Sequence, residues 1–282
     1  MPLALILSSH VAGSQVGATA QAAALAPFAI DAMVVPTVLF GRHPGWGPPG
    51  GAATPIEIFE GMLEGIAANG LLGLTDLVIT GYFASPVQVE AAARAIDAVR
   101  AAPRDGAFAS APTVIVDPTV GDEGKGLYVS AETAKAIAET LVPRADLVAC
   151  NAWELQWLTG AEAREPAAAL RAARQLGKPV LVSSVRRGDE IGAVLATADE
   201  AWLALHAKID TAPNGTGDLL TALYAAAVVE GQTLSHGLAR AVGGVAETVA
   251  AAKQWNAPEL PIVAMGARLK QTSPSVRIER LA

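Results

Sequence analysis

The sequence predicts a three-layer α/β/α architecture, with a central, mostly parallel sheet flanked by helices on both faces. Three observations carry that expectation. Short runs of β-branched and aliphatic residues recur along the chain, apolar throughout rather than alternating, as strands covered on both faces must be. Segments with helix-start signals lie between those runs. Strand followed by helix then repeats from one end to the other, which is the pattern of a doubly wound sheet.

Taken in order, strands are expected over residues 3–7, 32–35, 77–80, 113–116, 147–149 and 180–183. A helix over 19–26 should stop at Pro27. Residues 55–69 follow Thr54 as N-cap, with Pro55 in the first turn and Glu57 three residues beyond the cap. The same arrangement recurs at Ser85, where Gln88 precedes a helix over 86–101. Further helices are expected over 130–141 and over 165–175, the second ending at Gly177. Residues 192–196 and 201–207, separated by Thr197-Ala198-Asp199-Glu200, read as a hairpin at the far side of the sheet. Two alanine-rich helices, 217–230 and 235–251, come after it. With no linker and no internal repeat, residues 1–282 are expected to form one domain.

Composition narrows the function classes. A chain of 282 residues that is 52% hydrophobic and 17% charged fills a large core and does not fit a disordered protein. A net charge of -7 gives no support to non-specific nucleic-acid binding, and Arg186-Arg187 is the nearest approach to a basic patch. The single cysteine, Cys150, makes no intrachain disulfide and no zinc site alone; at the end of a buried strand it reads as packing. The apolar start, residues 1–7, has no preceding Lys or Arg and reads as a first strand rather than a signal peptide. No run of 18 apolar residues suggests a membrane span, so the cytoplasm is the expected location.

In such sheets ligands gather beyond the carboxyl ends of the strands. The most informative segment there is Gly215-Thr216-Gly217-Asp218, just before an apolar helix. Two glycines one residue apart let consecutive amides point at one place, and the start of the helix adds its own free N–H groups. Such a cup suits a phosphoryl group in transfer, with Asp218 beside it as the base for an attacking alcohol. The same four residues also fit a tight turn with a capping aspartate. Neither a Walker A loop nor a dinucleotide fingerprint is present.

Other polar groups follow other strands. Asn151 and Glu154, three apart, can converge on one side of a helical turn, where the carboxylate would suit Mg²⁺ through water; equally, they could cap that helix. Asp117 is a second candidate for the metal or phosphate region, and Lys125 a candidate for phosphate charge. Ser183 and Ser184 could donate to phosphates or simply form a turn. Toward the acceptor, His10 could touch a flat heterocycle, as could Phe40, His43 and Tyr82; each could instead be ordinary packing.

Over nearly the whole chain this constellation resembles the pyridoxal kinases of the ribokinase-like superfamily. The residues that carry the resemblance are Ser9-His10-Val11, Phe40, His43, Gly81-Tyr82, Asp117-Pro118, Gly121-Asp122, Asn151, Glu154 and Gly215-Thr216-Gly217-Asp218. It implies transfer of the ATP γ-phosphoryl to the 5′-hydroxymethyl of pyridoxal, and of pyridoxine and pyridoxamine, in vitamin B6 salvage. By resemblance, Asp218 is the base and Gly215, Thr216 and Gly217 form its anion hole. Asn151, Glu154 and Asp117 form the Mg²⁺-phosphate group, with Asp117 and Glu154 on the metal and Ser183 near the nucleotide. Ser9, Phe40, His43 and Tyr82 surround the vitamin ring, and residues 121–128 form a flap over ATP. Mg²⁺ is implied as cofactor, a monovalent cation such as K⁺ is a further candidate, and a homodimer is implied as the assembly.

Departures cluster on the acceptor side. Pro44 replaces a family threonine, Gly41-Arg42 replaces Ser-Asn, and Ala18 replaces an asparagine. Phosphoryl transfer is therefore better specified than the acceptor, and hydroxymethylpyrimidine is the alternative ring. A vitamin-binding protein without turnover is the non-enzymatic alternative.

Overall fold

In the computed structural model, which describes residues 1–104 and 111–282, the apolar runs become strands and the segments between them become helices. β1 (Leu3–Val11) leads to α1 (Gly17–Leu25), β2 (Asp31–Phe40) to β3 (Gly51–Ala53) and α2 (Ile56–Ala68), and β4 (Leu77–Thr80) to α3 (Pro86–Ala101). β5 (Thr113–Val116) precedes a small hairpin, β6 (Gly121–Asp122) and β7 (Gly126–Leu127), and then α4 (Ala131–Ala136). β8 (Leu147–Asn151) passes directly into α5 (Ala152–Thr159), and α6 (Pro166–Gln175) precedes β9 (Val180–Arg187). β10 (Glu190–Ala196), β11 (Ala201–Ala207), α7 (Thr216–Val229), α8 (Leu234–Gln254), α9 (Ile262–Leu269) and β12 (Arg277–Arg280) complete the order.

Among the described residues, ten strands form one sheet in the order β12-β11-β10-β9-β8-β5-β4-β1-β2-β3. Neighbours from β2 to β9 are parallel, while β3 at one edge and β10, β11 and β12 at the other pair antiparallel. The continuous apolar character of the strands has the expected cause, since successive side chains enter different cores. Leu5 and Leu7 of β1 pack toward α2 and α3, and Ala4 and Ile6 toward α1, α7 and α8. Helices therefore lie on both faces, giving the three-layer α/β/α fold expected from the sequence.

β1 has β2 on one side and β4 on the other, so the chain order reverses there and a crevice opens beyond its carboxyl end. Ser8 and Ser9 lie within β1, and Phe40 ends β2. Both strands run four or five residues beyond their expected ends, and the sheet itself rather than a loop thereby holds part of the crevice wall.

Several helix starts differ from expectation. Thr54 does not cap α2: Pro55 occupies the N-cap position without a side-chain bond, and the Thr54 hydroxyl is buried without a partner. Ser85 precedes α3 but makes no capping bond, and the Gln88 side chain does not reach back to it. The Gln88 carboxamide accepts from the Ala84 amide at 3.0 Å and donates to the Thr37 and Thr54 carbonyls, both at 2.9 Å. Tertiary hydrogen bonds outbid the local cap there. Ser130 does cap α4, through the Thr133 amide. Its helix is α-helical only to Ala136 and widens into a π-helical turn over Ile137–Leu141, just before Pro143, which has no N–H for the regular ladder. β3, α9 and β12 were not foreseen from the sequence. β3 and β12 are short edge strands, and α9 is an eight-residue helix.

Candidate active site

The turn before α7 reaches the crevice because Gly215 is glycine. Its φ of +91° is left-handed, and a Cβ there would collide with the backbone carbonyl of Gln15. Gly215, Thr216 and Gly217 line the cavity, and a Cβ on Gly217 would meet open space. Asp218 stands in the first turn of α7, with its Oδ1 accepting from Gln21 Nε2 at 3.4 Å and the Gly17 amide close enough to favour its ionised form. Protein surrounds Asp218 closely although part of it opens to the cavity. That burial, reinforced by the charge of Asp117, pushes its pKa up to about 7 against the opposing Gly17 amide.

Asp117, just past β5, is held on both oxygens. Oδ1 accepts from the Thr119 amide at 3.1 Å and its hydroxyl at 2.8 Å, a turn that places Thr119 at φ +44°. Oδ2 accepts from Thr221 at 3.0 Å, one helical turn after Asp218. Burial raises the Asp117 pKa despite these donors.

Asn151 and Glu154 form a reciprocal cap at the start of α5. Asn151 Oδ1 accepts from the Glu154 amide, and Glu154 Oε2 from the Asn151 amide, both at 2.9 Å. Glu154 Oε1 reaches further, accepting from Val120 at 2.8 Å and Gly121 at 3.3 Å, while Asn151 Nδ2 donates to the Gly121 carbonyl at 2.9 Å. The cap thus also anchors the β6-β7 hairpin. Glu154 is only 3% exposed, and burial together with the Asp117 charge raises its pKa against three backbone donors.

On β9, Ser183 and Ser184 together oppose Ala193, a bulge that puts Ser184 at φ +61° and re-aims the strand end toward the crevice. Ser183 donates to the Cys150 carbonyl at 3.4 Å. Cys150 is buried, and burial pushes its thiol pKa well up, consistent with packing.

The acceptor wall has a different construction. Gly17, at φ +56°, brings the start of α1 against Ser9. Thr37 donates to the Tyr82 carbonyl at 2.6 Å and fixes the bend after β4. His43 Nδ1 accepts from the Gly45 amide at 3.0 Å, which puts the proton of the neutral ring on Nε2. Asn214 Nδ2 approaches the same Nδ1 at 3.5 Å from the opposite wall. Burial and then the Lys125 charge lower the His43 pKa, partly opposed by Glu259. Lys125, from the β6-β7 hairpin, sits 5.8 Å from the centre of the Tyr128 ring. Glu123 at the hairpin tip pairs with Arg186 at 2.8 Å and Arg164 at 3.0 Å.

One cavity of about 780 Å³ joins these groups. Ser9, Phe40, His43 and Tyr82 line one part, Asp117, Asn151, Glu154, Ser183 and Ser184 another, and Gly215 to Asp218 the ground between them. His10 is not among the lining residues; its Nδ1 lies 3.3 Å from the Thr19 hydroxyl. Arg186 and Arg187 are engaged with Glu123 and Glu279. Among the described residues no group of three or more His, Cys, Asp or Glu side chains forms a metal cage of its own. Gln21, Thr221 and Asn214 were not singled out from the sequence. Gln21 is fully buried, and the one available signal was an isolated polar residue in an alanine-rich helix.

Residues 91–262 match the family model described as phosphomethylpyrimidine kinase. A pyridoxine/pyridoxal/pyridoxamine kinase of Bordetella avium is 32% identical over 262 residues, which cover 90% of this chain and 86% of that one. A pyridoxal kinase of Rubrobacter xylanophilus is 32% identical over 282 residues, 97% of this chain and 94% of that one. The fold of pyridoxal kinase from Leishmania donovani, solved with ADP and pyridoxamine, matches over 100% of both chains with a TM-score of 0.91 at 24% identity. With that agreement in sequence and in architecture, the chain belongs to the pyridoxal kinase family of the ribokinase-like fold.

Proposed function

We propose that this protein is an ATP-dependent pyridoxal kinase, transferring the γ-phosphoryl group to the 5′-hydroxymethyl of pyridoxal, and of pyridoxine and pyridoxamine, to give the 5′-phosphates. The observation that carries this reading is the position of Asp218, in the first turn of α7, where with Gly215, Thr216 and Gly217 it lines a cavity shared by both walls. A carboxylate with its pKa near 7 accepts the alcohol proton as the oxygen attacks. The amides around Gly215, Thr216 and Gly217 stabilise the charge on the transferring group. Ser9, Phe40, His43 and Tyr82 hold the ring, and Ser183 and Ser184 meet the nucleotide. Residues 1–282 act as one domain, a homodimer is the expected assembly and the cytoplasm the expected compartment.

The donor set fits hydrated Mg²⁺. Asp117 and Glu154 are hard oxygen donors already bound to protein hydrogens, so they would hold the ion through its water shell, as Mg²⁺ at phosphates commonly requires. When bound, the ion neutralises phosphate charge. A monovalent cation such as K⁺ is tested by turnover in K⁺ against Na⁺ buffers.

The match to a phosphomethylpyrimidine kinase model favours one second reading, phosphorylation of hydroxymethylpyrimidine. Parallel kcat/KM measurements on pyridoxal and hydroxymethylpyrimidine separate the two. Pyridoxal should be preferred, and a clear preference for the pyrimidine would replace this proposal with the alternative.

A further inference from the structure

The segment between α8 and α9 returns to the loop after β1, 245 residues away in sequence, and brings Glu259 with it. Both Glu259 oxygens accept from the Ser14 hydroxyl at 2.9 Å, and Oε2 also accepts from the Gln15 amide at 2.9 Å. Ser14 is only 4% exposed, so this tie is not a loose surface contact.

What the tied loop touches gives the contact its meaning. The Gln15 carbonyl is the group against which Gly215 is packed, and Val16 Cγ1 would lie 3.3 Å from a Cβ on Gly215. One residue later, Gly17 lines the same cavity as Asp218, and its amide favours the ionised carboxylate. Gly17 in turn abuts Ser9 on the acceptor wall. The anion-hole turn, the carboxylate and the acceptor wall therefore all rest on residues 14–17.

We infer that Glu259 is a positioning residue, which clamps residues 14–17 and thereby sets the distance between the acceptor alcohol, Asp218 and the amides of Gly215 to Gly217. This rests on the kinase reading above and deepens it. Glu259 has no place in the chemistry itself; its hydrogen bonds act through the loop, and its charge also bears on His43, where it opposes the lowering of the pKa. A displacement near 1 Å between reacting groups is enough to cost up to about 100-fold in rate.

The test uses the full chain and three variants, Glu259→Ala, Glu259→Gln and Ser14→Ala. Turnover is expressed per molecule competent to bind an ATP analogue, so loss of folded protein does not count as loss of rate. Glu259→Ala should lower kcat by about 10- to 100-fold while leaving KM for ATP within about twofold. Glu259→Gln, which keeps one acceptor oxygen, should regain the larger part of that loss, and Ser14→Ala should fall between. Amide exchange at Gln15 and Gly17 should quicken in Glu259→Ala. If Glu259→Ala does not fold, Ser14→Ala and Glu259→Gln decide by the same criteria. A normal kcat per competent molecule, or a rise in KM for ATP that matches the loss, would falsify the inference. Absence of pyridoxal-dependent ADP release in the wild type sinks the B6 reading instead. The exchange measurement then still decides on Glu259, because unchanged protection at Gln15 and Gly17 overturns the clamp whatever the acceptor is.

Discussion

The two walls of the cavity, the one proposed for the nucleotide and the one proposed for the acceptor, are built by different means. The nucleotide side is held by buried carboxylates, each accepting several hydrogen bonds from near and distant parts of the chain: Asp117 from Thr119 and Thr221, Glu154 from the amides of Asn151, Val120 and Gly121. Among the described residues, the acceptor side is a strand end, a turn and a loop without a buried carboxylate at its centre. It is tied locally by Thr37 to Tyr82 and by Gly45 to His43, and bridged across the cavity only by the 3.5 Å approach of Asn214 to His43. It also exposes Trp46 and carries Pro44, which can donate nothing through its backbone. Pre-organised charge suits a phosphoryl donor that never changes, whereas a lightly held wall can be retuned for a different ring without disturbing the chemistry. Substitutions on the two sides should accordingly fail in different ways.

The largest effect is expected at the junction. Asp218→Asn removes the proton acceptor while keeping shape, so kcat should fall by about 10²-fold or more with ATP-analogue binding retained. Steady-state ADP release and a binding titration check this together, and near-normal turnover would remove Asp218 from the role of base.

Next comes Gly215→Ala. A left-handed φ of +91° and the Gln15 carbonyl both oppose the new methyl, so denaturant unfolding should show a loss of roughly 1–3 kcal/mol, with kcat reduced as well. An unchanged unfolding midpoint would show that the turn is not pinned in the way described.

The third prediction concerns pH and the charged side alone. Asp218 has its pKa raised from 3.8 to about 7, so across that window the folded protein binds more protons than the unfolded chain. Stability from this group is present below the window and is lost as pH rises through it. Buried Asp117 and Glu154 act in the same direction. Asp97 and Glu279, held down by Arg144 and Arg187, are ionised in both states across this range, whereas His43 and His206, whose pKa values burial lowers, act the other way. The Tm of the unliganded protein should therefore be lower at pH 7.5 than at pH 5, with a shallower slope in Asp218→Asn. An upward slope between those pH values contradicts the burial of these groups.

The smallest effect is expected from Pro44→Thr, which restores the hydroxyl that the family places after the histidine. Preference among pyridoxal, pyridoxine and pyridoxamine should shift about 3- to 10-fold in kcat/KM, with KM for ATP unchanged. An effect on ATP would mean that the two sides are less separable than their construction suggests.

Local rules made much of this legible in advance. Gly215 ahead of α7 and the Asn151–Glu154 spacing each describe a short-range geometry, and the left-handed turn and the reciprocal cap both form. Glu154 shows where such reading stops. Its capping bond follows from spacing, yet its second oxygen holds Val120 and Gly121, more than 30 residues away. Gln88 shows the opposite outcome, a residue placed to complete a helix cap that bonds the Thr37 and Thr54 carbonyls instead.

By itself the sequence determined the layer architecture, the family resemblance and the identity of the polar strand ends, because period, capping and turn chemistry act over a few residues. Only the tertiary structure decided that Gln21 and Gly17 meet Asp218, that Thr221 bridges to Asp117, and that Glu259 closes on Ser14 and Gln15. Those contacts join distant segments, and a buried polar group bonds whatever partner packing brings within reach, a choice made only once the helices have settled against the sheet.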